Sequence, residues 1–216
     1  MPGPWSSGRI LTSKLPFAGE TLNPLNPQPG HRPPAPGQLA LVQAFLNTHF
    51  DLGPDWGAEV LRSPAALADW LAGQGLTPTP APFADRDDLQ CALALRRWLR
   101  EVVARPDDAA ALHGLTLSAD GAPATVEFTP AGPRFAPAGD HGVRAGLGVV
   151  VAVAAAAMLD GTWRRLKLCP GEHCGWAFYD QSRNRSGRWC SMSVCGGRTK
   201  ARAHYARTLA RERDLS

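Results

Sequence analysis

Five cysteines are the residues of this 216-residue chain whose type and spacing promise chemistry. Four of them share one short stretch: Cys169 and Cys174, then fifteen residues, then Cys190 and Cys195. An odd total argues against a closed disulfide framework, and two pairs with equal four-residue gaps read as two knuckles around a loop. Tetrahedral zinc needs four soft donors converging at about 2.3 Å, and each knuckle supplies two of them at little entropic cost. The arginines nearby favour thiolate over thiol, which also favours metal. Disulfide or redox pairs and unpaired thiols are the competing readings of the same residues. Four cysteines leave no position open to water, so the expected cofactor is one structural Zn2+. His173 is a substitute ligand at most, and its plainer reading is an exposed loop residue. Cys91, set among Leu89, Leu93 and Leu95, reads as a small core residue.

Charge singles out the same end of the chain. Residues 161–216 hold twelve Lys/Arg against four Asp/Glu, a net +8, whereas residues 1–160 hold eleven against fifteen, a net −4. A basic module on a mildly acidic body points to a polyanion, most simply nucleic acid. The candidate contacts are Arg183, Asn184, Arg185 and Arg188 in the loop between the knuckles, then Arg198, Lys200, Arg202, Arg207 and Arg211 beyond the last cysteine. Thr199 is placed to cap a C-terminal helix with Ala201, Tyr205, Thr208 and Leu209 on one face and Lys200, Arg207 and Arg211 on another; such a helix could contact phosphates. Trp176 and Phe178, two apart, and Trp189 read as a small core beside the metal, with base stacking as the alternative. The module is too small to bury much core, so metal binding should supply most of its folding free energy.

The elements that must position this module lie upstream. Residues 1–37 carry nine prolines and read as a flexible arm. Residues 38–161 read as a mainly helical domain, and 162–216 as the metal module with its basic helix. Leu39, Leu41, Val42, Phe45 and Leu46 fit one face of a first helix. Ser63-Pro64 is an N-cap followed by proline at the first helical position. Asp85 caps a third helix carrying Leu95, Trp98, Leu99 and Val102, which Pro106 ends, and a short helix follows over 107–113. Leu115–Leu117 and Thr125–Phe128 flank Asp120-Gly121-Ala122-Pro123 and read as a β-hairpin. The apolar run 145–159, fifteen residues, fits a buried helix and is short for a membrane span. The expected class is thus mainly α with a small β-hairpin (α+β), followed by the metal module. No continuous apolar leader opens the chain, so a cytoplasmic location and no membrane partner are expected. A Gly-rich phosphate loop, a nucleophile elbow and paired carboxylates are all missing from the sequence, so it is not expected to be an enzyme.

The run CPGEHCGWAFYDQSRNRSGRWCSMSVCGGRTKARAHYAR resembles the CGNR-type zinc finger: two such Cys pairs, Trp-x-Phe-x-Asp-x-Ser, Arg-Trp-Cys-Ser-Met, then Cys-Gly-Asn-Arg and Lys. Upstream, Leu46-Asn47-Thr48 with Asp51-Leu52, Asp69-Trp70-Leu71 and the Leu95-Arg96-Arg97 helix resemble the ABATE domain that accompanies this finger. The resemblance spans roughly 38–207 and implies a bacterial transcription regulator, described as stress-induced, with a DNA-binding finger; RNA binding is the second reading. It also suggests that the upstream domain senses a small-molecule effector or dimerises. Asn47, Thr48, Asp51 and Arg96 are the candidates for an effector pocket, against a plainer reading as helix-cap residues and surface pairs. A homodimer reading two half-sites suits a single small finger. One departure stands out: the family's Asn is Gly197 here. Glycine keeps the tolerance for positive φ, so a tight turn into the helix is expected to survive, while any Asn side-chain bond is lost.

Overall fold

The computed structural model describes residues 28–50, 58–138, 142–201, 205 and 207–208. Four of the helices start where their caps dictate or their apolar faces begin. The first, α1 (Leu39–Leu46), buries Leu39, Leu41, Val42, Phe45 and Leu46. The second, α2 (Pro64–Gly73), is capped by Ser63, whose hydroxyl accepts from Ala66 N–H, with proline at its first position. The third, α3 (Arg86–Ala104), opens with a reciprocal box in which Asp85 accepts from Asp88 N–H and Asp88 accepts from Asp85 N–H. Between α1 and α2, the two-residue strands β1 (His49–Phe50) and β2 (Ala58–Glu59) pair antiparallel.

Two expectations need correcting here. Asp108 caps an eleven-residue helix α4 (Ala109–Ala119), so Leu115, Thr116 and Leu117 are helical. Thr116 donates to Leu112 O one turn back, a bond only a helix offers. The hairpin instead pairs β3 (Ala124–Thr129) with β4 (Gly132–Pro137), Val126 opposite Phe135. The apolar helix is also longer than fifteen residues. As α5 (Gly142–Leu159) it has eighteen, long and apolar enough by length and composition to cross a membrane. It is half buried, packs on α1, α2, α3 and the β3–β4 hairpin, and supplies Val143, Leu147, Val150, Val153 and Ala157 to the core. That is how the central helix of a packed domain behaves.

The chain then turns through Thr162–Arg165 into a last antiparallel pair, β5 (Leu166–Leu168) and β6 (Ala177–Tyr179), with Leu166 opposite Tyr179 and Leu168 opposite Ala177. Among the described residues the class is α+β: helices with small antiparallel pairs, then a cysteine module leading into a C-terminal helix.

Candidate metal centre and nucleic-acid interface

Strand β5 delivers Cys169 and strand β6 departs from Cys174, so one hairpin fixes the first knuckle. Cys169 N–H donates to Trp176 O and Cys174 N–H to Gly171 O, folding 169–176 into a tight loop. The second knuckle is held by Ser191, whose hydroxyl caps the helical turn Met192–Gly196 and whose carbonyl accepts from Cys195 and Gly196. The four sulfurs converge: all lie within 4.8 Å of one another, and each cysteine is at most 4% exposed. The Cys174–Cys190 and Cys190–Cys195 sulfurs are 3.7 and 3.6 Å apart. A tetrahedron with 2.3 Å arms has edges of about 3.8 Å, so the donor set fits one zinc ion. His173 stands outside this cluster with its side chain 56% exposed.

The electrostatics of the cluster also call for a cation. Hydrogen bonds from Cys174 and Cys190 pull the Cys169 thiol down, and the same bonds push those two up; burial pushes Cys195 up. Four thiolates this close ionise together only around a metal. Backbone N–H groups of Cys190 and Gly171 point at the Cys169 sulfur, and that of Trp176 at Cys174. Such bonds orient the ligands and temper the negative charge of a zinc tetrathiolate. Trp176 and Phe178 are buried against the cysteines, with Trp189 half-buried beside them, as a small core should be.

The hairpin that carries the first knuckle has two faces. Phe178 faces the cysteines, while Leu166, Ala177 and Tyr179 belong to the core of the helical body. Polar side chains lock the junction. The Asn47 amide, at the C-cap of α1, donates to Ala177 O at 2.8 Å and accepts from Ala177 N–H at 2.7 Å. Gln43 donates to Ala177 O as well, and Arg100 of α3 bridges Leu46 O and Gly175 O. The proline-rich segment joins in: the Arg32 guanidinium donates to the carbonyls of Tyr179, Trp189 and Cys190 and lies over the Phe178 ring, and Gln28 accepts from Gln43 and Trp176. Residues 28–37 are therefore pinned to the finger, whereas proline density alone predicts a flexible arm; residues 1–27 lie outside the described residues.

Internal hydrogen bonds account for three of the four residues read as an effector pocket. Asn47 holds β6. Thr48 donates to Phe45 O and accepts from Arg96, and Arg96 makes a two-pronged pair with Glu59 while 8% exposed at its side chain. Burial works against ionisation of Glu59, but the Arg96 guanidinium outweighs it and holds the carboxyl below its ordinary range. Asp51 lies outside the described residues.

The basic residues divide into two groups. Arg183, Asn184, Arg185 and Arg188 are exposed on the 181–188 loop, and Arg198, Lys200 and Arg207 are exposed along the C-terminal helix; Arg202 and Arg211 lie outside the described residues. Arg165 and Lys167, which contribute to the +8, point inward. Lys167 Nζ donates to Asp180 at 2.6 Å, to Gly187 O and to Arg185 O, and Arg165 donates to Asp180 O and Ser182 O. Asp180 is buried and also accepts from Ser182 and Gly187 N–H. Burial opposes its ionisation, yet these bonds hold the carboxyl far below the usual range. Charge counting gave no role to Asp180 or Arg32; the Trp-x-Phe-x-Asp-x-Ser stretch, whose acid and serine are Asp180 and Ser182, and the isolation of that acid in an arginine-rich run were the signals for Asp180, while Arg32 and Gln28 had none.

The helix after Cys195 starts differently from expectation. Ser191, not Thr199, provides the cap, and Thr199 donates back to Cys195 O. Gly197 has φ −63° and ψ −48°, so no left-handed turn exists there, and a Cβ would meet nothing closer than Met192 O at 3.5 Å. Gly197→Asn should therefore keep full zinc content and shift stability by no more than about 0.5 kcal/mol, most simply upward, as a thermal melt would record.

Two family models match the chain. The CGNR zinc finger covers residues 165–208, and the ABATE model, described as "Putative stress-induced transcription regulator", covers residues 39–162. A search of curated proteins found no match.

Proposed function

Because the chain belongs to the ABATE family and carries a CGNR zinc finger, we propose that it is a zinc-dependent DNA-binding transcription regulator rather than an enzyme. In this reading residues 162–216 contact nucleic acid and residues 38–161 hold and regulate them. The observation that carries it is a closed four-cysteine centre beneath an exposed basic surface. With four protein sulfurs around it, a zinc ion has no place for a substrate, so its contribution is shape. Arg183, Arg185 and Arg188 on the loop, with Arg198 and Lys200 on the helix, have no carboxylate within ion-pair distance among the described residues, which leaves their charge for phosphates. Burial of Trp176 and Phe178 removes two of the rings that single-stranded RNA would need as stacking platforms, and this favours duplex DNA.

Selection from mixed duplex DNA and structured RNA pools, with zinc present and with it chelated, tests the proposal. Zinc-dependent enrichment of duplexes is expected, with affinity falling steeply as salt rises. Arg198→Ala and Lys200→Ala should each weaken binding and reduce the salt slope by about 0.9 for every phosphate left unneutralised. Salt-insensitive binding without enrichment, or preferential capture of RNA, would overturn it.

A further inference from the structure

The 181–188 loop reads Gln-Ser-Arg-Asn-Arg-Ser-Gly-Arg and contains no apolar residue to anchor it. Left to itself, a segment of this composition would sample many conformations, and ordering it on a ligand would cost conformational entropy at every residue. The structure holds it from beneath. The Asp180 carboxylate, 1% exposed, accepts from Ser182 N–H at 3.0 Å near one end of the loop and from Gly187 N–H at 2.7 Å near the other. Lys167 neutralises that carboxylate and ties down the carbonyls of Arg185 and Gly187. Arg165 takes the carbonyls of Asp180 and Ser182.

Two backbone features show how tightly the loop is shaped. Arg185 sits at φ +52°, a conformation that costs free energy for a residue with a side chain. Both of its backbone polar groups are held there, N–H to Ser182 O and C=O from Lys167. At Gly187, a Cβ would come within 2.5 Å of the Asp180 carboxylate, so glycine is what permits the contact.

We propose that the buried Asp180–Lys167 pair positions the nucleic-acid site, preorganising the 181–188 loop so that Arg183, Arg185 and Arg188 meet phosphates in a shape already formed. This rests on the reading above that the loop contacts nucleic acid. Lys167 is itself no phosphate ligand, because its three N–H donors face three internal acceptors. A positioning role therefore has its own signature: binding weakens while the number of phosphates neutralised stays the same.

The test uses the full zinc-loaded chain and a labelled duplex titrated over a range of salt. Asp180→Asn, nearly isosteric, is expected to lower affinity about tenfold at fixed salt while the slope of log K against log salt is unchanged. Zinc should stay at one per chain, and the Ser182 and Gly187 amides should lose hydrogen-exchange protection. Gly187→Ala, which displaces the same carboxylate with a methyl group, should behave alike and decides the matter if Asp180→Asn loses its metal. Arg185→Ala is the contrast: affinity and slope should fall together. Wild-type affinity in both positioning variants, or a reduced slope in Gly187→Ala, would overturn the positioning role. A wild-type chain that fails to bind any duplex would instead overturn the reading on which it rests.

Discussion

Replacing Cys190 by serine, or removing the metal with a chelator, is expected to unfold the finger and to pull the thermal midpoint of the helical body down with it. The first half follows from size, since the module has little core beyond Trp176, Phe178 and the cysteines themselves. The second half follows from the hairpin. Leu166, Ala177 and Tyr179 lie within the zinc-finger match, yet they sit in the core of the body. Structural zinc is worth roughly 10 kcal/mol or more in small fingers, and about a quarter of that reaching the body would be roughly 3 kcal/mol. For a chain of this length such a loss lowers the midpoint by about 10 °C. Metal analysis paired with thermal melts followed at a helix signal would check it. A metal-free chain with exposed, reactive thiols and an unchanged helical melt would mean that body and finger fold independently.

Asn47→Ala should produce a large stability loss from a single uncharged side chain of the body. One amide serves both the N–H and the C=O of Ala177. Truncation leaves Ala177 O with Gln43, but it leaves the buried N–H without its partner and opens a void at the end of α1. An orphaned buried donor costs about 1–3 kcal/mol, and the lost packing adds to it, so a total near 3 kcal/mol is expected. The denaturation midpoint should fall accordingly. Zinc should also be released to a competing chelator more readily, because Ala177 lies three residues from Cys174. A variant of wild-type stability would show that the Asn47 bonds contribute nothing net. Leu at 47 would not rescue the loss, since it carries no acceptor.

How much of this could be read beforehand depended on whether the signal was local. Knuckle spacing and helix caps are local, so the four ligands, Ser63 and Asp85 were legible. Leu115-Thr116-Leu117 is too short to have a period, and the Asp108 cap upstream decided it for helix. The hairpin partner of Thr125–Phe128 lay downstream, across a turn ending at Gly132 with φ +112°. The fate of each charge was not legible at all. Lys167 and Arg183 look alike in a count, but Lys167 lies opposite Phe178 in the strand pair, within reach of Asp180, and Arg183 lies on a loop. Arg32 shows the same limit across the whole chain, because its partners are backbone carbonyls about 150 residues away.

The two-faced hairpin also sets a rule of parity. Side chains on a strand alternate, so an insertion or deletion of one residue between Cys174 and Ala177 would exchange what faces the helices with what faces the sulfurs. Phe178 would turn toward the body, and Ala177 and Tyr179 toward the metal. The length of that three-step path is thus as constrained as the cysteines themselves. Related chains should hold that count of residues between the second cysteine and the strand.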